Sequence, residues 1–184
     1  MVKKTDIANA CFVVAIMLSA ISCTTDDVQV ANHVKPYFSL EDYFQQEASR
    51  LQQLAPSISK MVSKNGETES HDIQIDNWES ELALFIDSDI NKAAWQSSYK
   101  IDSTMTSLVY TSLDPELRTE QITVEKGDDG TIKHIGVSNR IKNMLYQTDE
   151  QLDYYPDSLY RITKQQHVRI IGESNYLVAG TFQQ

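Results

Sequence analysis

The chain has only two cysteines, Cys11 and Cys23, six glycines and four prolines in 184 residues. Two thiols, both near the start, cannot build the disulfide framework of a small secreted domain. With so few glycines there is no GxGxxG or GxxxxGK[ST] loop to cradle phosphates, so nucleotide binding has no support. Cations are also scarce: 16 Lys and Arg against 26 Asp and Glu give a formal net charge of −10 and a pI near 4.7. Most of such a surface repels a phosphate backbone or an anionic membrane, which argues against nucleic acid as a partner. No apolar run reaches the ~20 residues needed to span a hydrocarbon core of roughly 30 Å.

What is present reads as a folded chain behind a targeting segment. Hydrophobic residues are 41% and charged residues 23%, close to soluble-protein averages. A mature part of about 150 residues can bury roughly 68–70% of its unfolded surface and needs no covalent staples. Residues 2–22 carry a basic start at Lys3 and Lys4, an apolar stretch from Cys11 to Leu18, and small residues at Ser19, Ala20 and Ser22. That order of zones is a secretory signal peptide. Its end, Ala20-Ile21-Ser22-Cys23, resembles the lipobox of bacterial lipoproteins, with Ala20 where that pattern usually carries Leu. The resemblance implies a lipidation site at Cys23: acyl chains on the thiol, cleavage on its amino side, and loss of Cys11 with the peptide. Cleavage there removes two lysines and one aspartate and leaves a net charge of −11. Each buried methylene contributes about 0.8 kcal/mol and stable anchoring takes at least two chains, so a diacylglyceryl group with an amide-linked acyl chain holds firmly.

Inner-membrane lipoproteins of Gram-negative bacteria often carry Asp directly after the lipidated cysteine. Here that residue is Thr24, so the resemblance implies the outer membrane. Asp26 and Asp27 also resemble the surface-export signal of Bacteroidota lipoproteins; a merely solvated tether fits them equally. Little apolar periodicity is present up to Pro36. The expected organisation is therefore a signal peptide over 1–22, a lipidated cysteine and flexible tether over 23–36, and a single α+β domain over 37–184.

Within that domain Ser39-Leu40-Glu41-Asp42 reads as a helix N-terminus, with Leu40, Phe44, Ala48, Leu51 and Ala55 on one face. Asn65-Gly66 is the preferred pair of a two-residue hairpin turn and predicts strands over 58–64 and 68–75; a longer helix is the alternative, since Ile58, Met61 and Val62 also fit a helical face. Asp76-Asn77-Trp78-Glu79 opens a second short helix with Trp78, Leu82, Phe85 and Ile86 on its stripe. From about Tyr99 the period shortens to two, and turn residues predict strands near 98–104, 107–113, 118–126, 131–138, 141–153, 159–171 and 176–183. The fold class is α+β: N-terminal helices packed on one face of a mainly antiparallel meander sheet. The repeated IGVSN (135–139) and IGESN (171–175) read as two similar turns using Gly and Asn, with a duplicated hairpin as the alternative.

Chemistry-bearing patterns are weak. Asp87-Ser88-Asp89-Ile90-Asn91 matches the first ligand positions of a calcium loop, but Lys92 stands where glycine must turn and Ser98 where a bidentate glutamate belongs. Local side-chain to backbone bonds account for it instead. His33, His71, His134 and His167 have no metal-ligand spacing, although a sheet could bring His134 and His167 together. Gly136 to Arg140 and Gly172 to Tyr176 lack the second glycine of a nucleophile elbow. Acidic groups, among them Glu41/Asp42, Glu67/Glu69, Asp128/Asp129 and Asp149/Glu150/Asp153, read as solvated charges. Trp95 and the tyrosines of the sheet region read as core, with a binding platform as the alternative; strand parity puts Met144, Tyr146, Leu152 and Tyr154 on one face and Leu145 on the other.

These patterns assign no catalytic, cofactor or metal residue. They point to an envelope lipoprotein, lipid-anchored to the outer membrane, whose non-catalytic binding or assembly domain takes a protein, glycan or lipid partner. One alternative is a carrier of lipid or another hydrophobic ligand, with a curved sheet, a helical lid and an apolar cavity of several hundred Å³. Another is an envelope polymer hydrolase, which would need convergent polar groups in a cleft.

Overall fold

A computed structural model describes residues 35–183. The expected signal peptide, Cys23 and most of the tether lie outside the described residues, as does His33.

Helix α1 (Leu40–Leu54) starts where the cap chemistry places it. Ser39 is extended, and its Oγ accepts the Asp42 N–H at 3.0 Å; Glu41 and Asp42 complement the helix dipole in the first turn. Lys35 reaches Ser39 Oγ and Asp42 at 3.0 and 2.7 Å. The helix ends at Ala55, which takes a left-handed conformation (φ 45°) and donates its N–H to Leu51 O before Pro56 prevents continuation. Ala55 is therefore an exposed cap residue and not part of the buried face, whereas Leu40, Phe44, Ala48 and Leu51 are buried.

Strands β1 (Ser57–Lys64) and β2 (Glu67–Gln74) pair around Asn65 (φ 52°) and Gly66 (φ 92°), so the hairpin reading holds and the longer helix does not form. Two consecutive positive φ values are what Asn-Gly tolerates and other pairs resist. The second helical stripe is broken into α2 (Trp78–Glu81) and α3 (Ala83–Ile86) at Leu82. Its cap is Asn77, which accepts the Ser80 N–H at 2.9 Å. Trp78, Leu82 and Phe85 are fully buried. The acidic stretch after it is a clasp: Asp89 accepts the Asn91 and Glu41 N–H groups at 2.7 and 3.1 Å, and Asn91 accepts the Tyr37 N–H at 3.0 Å. These residues hold the start of α1, using the local bonding that Asp and Asn favour.

The remaining strands are β3 (Tyr99–Ser103), β4 (Ser107–Ser112), β5 (Thr119–Lys126), β6 (Ile132–Lys142), β7 (Tyr146–Tyr155), β8 (Leu159–Val168) and β9 (Gly172–Phe182). All pairings are antiparallel, in the order β2-β1-β9-β8-β7-β6-β5-β4-β3. Seven strands form a meander, and the β1–β2 hairpin joins it beside β9.

Two strand boundaries differ from the sequence reading for one reason: IGVSN is not a turn. Gly136 sits inside β6, where alternation of Ile135, Val137 and Asn139 toward the core outweighs the glycine signal. The real turn follows, with Asn143 Oδ1 accepting the Leu145 and Tyr146 N–H groups. Met144 thus belongs to a turn and does not share a strand face with Tyr146. In IGESN, Gly172 does take positive φ (95°), while Asn175 lies within β9. The two pentapeptides therefore occupy unlike places.

Leu40, Phe44, Leu51, Trp78 and Phe85 join one core cluster with Ile58, Ile122, Val124, Ile135, Val137, Leu152, Tyr154 and Tyr160. The strand members fall on one side by register. Aromatic rings fill the middle: Phe44 lies 4.6 Å from Phe85 and 5.2 Å from Tyr154 between centroids. Two polar links run through this packing. Tyr154 donates its hydroxyl to Glu47, whose carboxylate also accepts Arg50 Nε at 2.8 Å and Nη2 at 2.6 Å; Arg50 continues to Asp157 at 2.7 Å. Tyr160, directly opposite Tyr154, donates to Glu81 at 2.7 Å, and Lys60 meets the other oxygen of Glu81 at 2.7 Å. Opposite Tyr160 on its other side is Gly180, and a Cβ there would collide with the tyrosine ring.

Two expectations follow. Gly180→Ala should lower stability by roughly 2 kcal/mol or more, because the fully buried Tyr160 ring has no room to retreat; a denaturant midpoint unchanged from wild type would contradict this. Burial raises the Tyr154 and Tyr160 hydroxyls well above their ordinary range, with Glu47 and Glu81 adding to it, and burial raises Tyr99 to about 12. Above about pH 10 the unfolded chain releases tyrosine protons that the folded chain retains, so their contribution is complete below that pH and declines as pH rises beyond it, through about 12 for Tyr99. The fraction of tyrosinate absorbance due to the buried tyrosines should appear only together with loss of near-ultraviolet dichroism; the full tyrosinate signal with the fold intact would refute the assignment.

Candidate functional site: the polar face of the sheet

Strand residues that alternate with the core set form a second face, and most are polar. In the row formed by Glu125, His134 and Tyr155, the His134 ring stacks on Tyr155 with centroids 4.4 Å apart. Its Nε2 lies 3.0 Å from Asp153 and its Nδ1 3.5 Å from Glu125. Gly136 makes this possible, since a Cβ at that position would stand 3.1 Å from His134 Cε1. Both ring nitrogens face carboxylates of the protein, so neither is directed at an incoming substrate.

Toward the other end of the strands the row Arg140, Asp149, Gln165, Asn175 crosses β6 to β9. Arg140 bridges Asp149 at 2.6 Å and Glu120 at 2.7 Å, and Gln147 donates to Asp149 at 2.9 Å. The Gln147 amide, then the Arg140 guanidinium, hold the Asp149 carboxyl below its usual range; Asp149 in turn raises Arg140. Two grooves flank this row and share Asp149 and Gln165. One, of about 450 Å³, is lined by Ser138, Arg140, Gln151 and Thr163; the other, of about 410 Å³, by Gln147, His167, Glu173 and Asn175. Amides, hydroxyls and paired charges of this kind offer directional donors and acceptors to a polar ligand.

Several sequence readings change here. His134 and His167 share this face but stand in different rows near its two ends, so the sheet does not bring them together; His71 is on the exposed edge strand β2. Glu150 is not a solvated charge. It points to the core side, is 4% exposed, and pairs with Arg118 at 2.9 Å and Lys164 at 3.6 Å. Asn139, fully buried beside it, donates to Ser88 at 2.9 Å. Asp149 and Glu150 do point to opposite faces, as adjacent strand residues must. Tyr99, Tyr110, Tyr154 and Tyr160 are buried in the core, and Tyr155 is the aromatic that reaches the polar face. Asp129 closes a turn by accepting both Thr131 donors, which lowers its carboxyl pKa.

Glu47 and Glu81, the most consequential carboxylates, went unread. The one available signal was their place beside apolar positions of helices with Arg50 three residues from Glu47. Among the described residues no three His, Cys, Asp or Glu side chains gather to hold a metal ion. Comparison with protein-family models, curated proteins and solved structures finds no match for this chain.

Proposed function

We propose that this chain is a lipoprotein of the bacterial cell envelope, anchored in the outer membrane through acylated Cys23, whose domain is a non-catalytic binding module. In this reading the helices pack on one face of the meander and leave the other face free for a polar, hydroxyl-rich partner such as an envelope glycan. One observation carries it: on the face opposite the core residues, the row Arg140, Asp149, Gln165, Asn175 is a hydrogen-bonding surface with two adjoining grooves around Asp149 and Gln165. Sugar hydroxyls and acetamido groups are matched by Gln and Asn amides, which donate and accept at once.

The carrier reading requires an apolar cavity between helices and sheet. Phe44, Phe85 and Tyr154 occupy that space in mutual contact, which weighs against it. A hydrolase would use carboxylates with unequal environments in one cleft. On this face Asp149 and Asp153 are each engaged by a neighbouring side chain.

Two measurements test the proposal. Metabolic labelling with palmitate should mark the wild type and leave Cys23→Ser unlabelled; equal labelling would eliminate the anchor. An oligosaccharide array that includes soluble peptidoglycan fragments should retain the protein. Gln165→Ala with Arg140→Ala should then weaken retention about tenfold, since each lost ligand hydrogen bond contributes roughly 0.5–1.5 kcal/mol. Retention that is absent, or untouched by both substitutions, would refute the glycan-binding face.

A further inference from the structure

The hairpins of an antiparallel meander alternate between its two ends, and here the ends differ in chemistry. At one end are the β5–β6 turn with Asp128 and Asp129, the β7–β8 turn with Asp157, and the β3–β4 turn with Met105. At the other end the β6–β7 turn presents Met144 (86% exposed) and Leu145 (69%), and the β8–β9 turn presents Ile170 (93%) and Ile171 (83%). These two turns touch: the Arg169 N–H donates to Leu145 O at 3.0 Å. Four apolar side chains therefore form one protruding patch at the tips of adjacent hairpins. Isolated exposed apolar residues need no explanation, but a contiguous projecting group does.

Charge identifies what the patch meets. Segments 140–147 and 166–172 contain Arg140, Lys142, His167 and Arg169 and no carboxylate, in a chain whose net charge is −10. Nearby ion pairs engage Arg140 and His167 and leave Lys142 and Arg169 free among the described residues. Carboxylates stand close by: Glu173, directly after Gly172, pairs with His167, and Glu116 of the β4–β5 turn shares a groove with Lys142 and Met144, so the unpaired cations nearest the tips are Lys142 and Arg169. Apolar tips flanked by two unpaired cations suit a phospholipid surface, where the tips enter the headgroup boundary and the cations meet phosphates. The acidic turns at the opposite end are repelled from the same surface, which orients the domain.

We infer that the β6–β7 and β8–β9 hairpin tips dock the folded domain on the surface of a bilayer containing anionic phospholipid, through Met144, Leu145, Ile170 and Ile171 inserted between Lys142 and Arg169. The contact is made by the folded domain itself and rests on the lipoprotein reading only for the proximity that Cys23 supplies.

The test uses the full chain with Cys11→Ser, produced with Cys23 acylated so that its thiol takes no label, and a single added cysteine, Ile170→Cys or, at the opposite end, Asp128→Cys, carrying an environment-sensitive fluorophore. It is mixed with vesicles of phosphatidylethanolamine and phosphatidylglycerol. The label at 170 should shift to the blue and be protected from an aqueous quencher at least threefold over the label at 128. Lys142→Glu with Arg169→Glu should remove most of that protection. Equal quenching at both positions would overturn the inference even where palmitate-labelled protein stays on the vesicles, in which case the anchor survives and the tip contact does not. Repeating the measurement with Cys23→Ser and excess vesicles separates the two: protection at 170 without acylation supports docking by the tips, and its loss assigns the membrane contact to the lipid alone and overturns the inference. Protection seen in native membranes but absent on protein-free vesicles would assign the patch to a protein partner and also overturn it.

Discussion

Two tyrosines opposite each other on β7 and β8 each end on a carboxylate carried by a helix. Burying Glu47 costs desolvation that a leucine would avoid. Three donors, from Tyr154 and both ends of the Arg50 fork, offset it, and the buried hydroxyl is satisfied in the same contact. The Tyr160, Glu81 and Lys60 link repeats the arrangement one strand over. Apolar packing would hold a helix against a sheet in several registers. A phenol that must meet a carboxylate at one place selects among them, and the Tyr154–Glu47 and Tyr160–Glu81 bonds tie α1 and α2 to the β7–β8 hairpin.

That constraint gives the polar face its order. With Tyr154, Tyr160 and their neighbours committed to the core, strand parity sends Asp149, Gln151, Asp153, Thr163 and Gln165 the other way. Antiparallel pairing then lines these groups up in rows, and the grooves lie along the rows. Gly136 and Gly180 act oppositely across the sheet: the first gives His134 space to fold down toward Asp153, and the second gives Tyr160 its place in the core. Each is a position where absence of a side chain lets a larger neighbour occupy the volume.

Much of this architecture was legible from local chemistry. Ser39, Asn65-Gly66 and the shift from a period near four to two at Tyr99 located α1, the first hairpin and the meander, because caps, positive-φ turns and alternation act over a few residues. Gly136 misled, since a glycine in a strand and one in a turn look alike without the partner strand. Glu150, Glu47 and Glu81 were not legible as buried groups. A carboxylate goes inside only where a donor from a distant segment meets it, and Arg118, Tyr154 and Tyr160 are 32, 107 and 79 residues away respectively. The rows of the polar face depend on register across four strands, which alternation within one strand cannot supply.

The phenol–carboxylate link is open to a double-mutant cycle of Tyr154→Phe and Glu47→Gln, followed by chemical unfolding. Two substitutions within one hydrogen-bonded network should couple, with an interaction energy of about 1 kcal/mol or more and a double variant less destabilised than the sum of the single ones. Additivity to within about 0.3–0.5 kcal/mol would mean that the two side chains contribute independently, and that apolar packing alone sets the helix on the sheet.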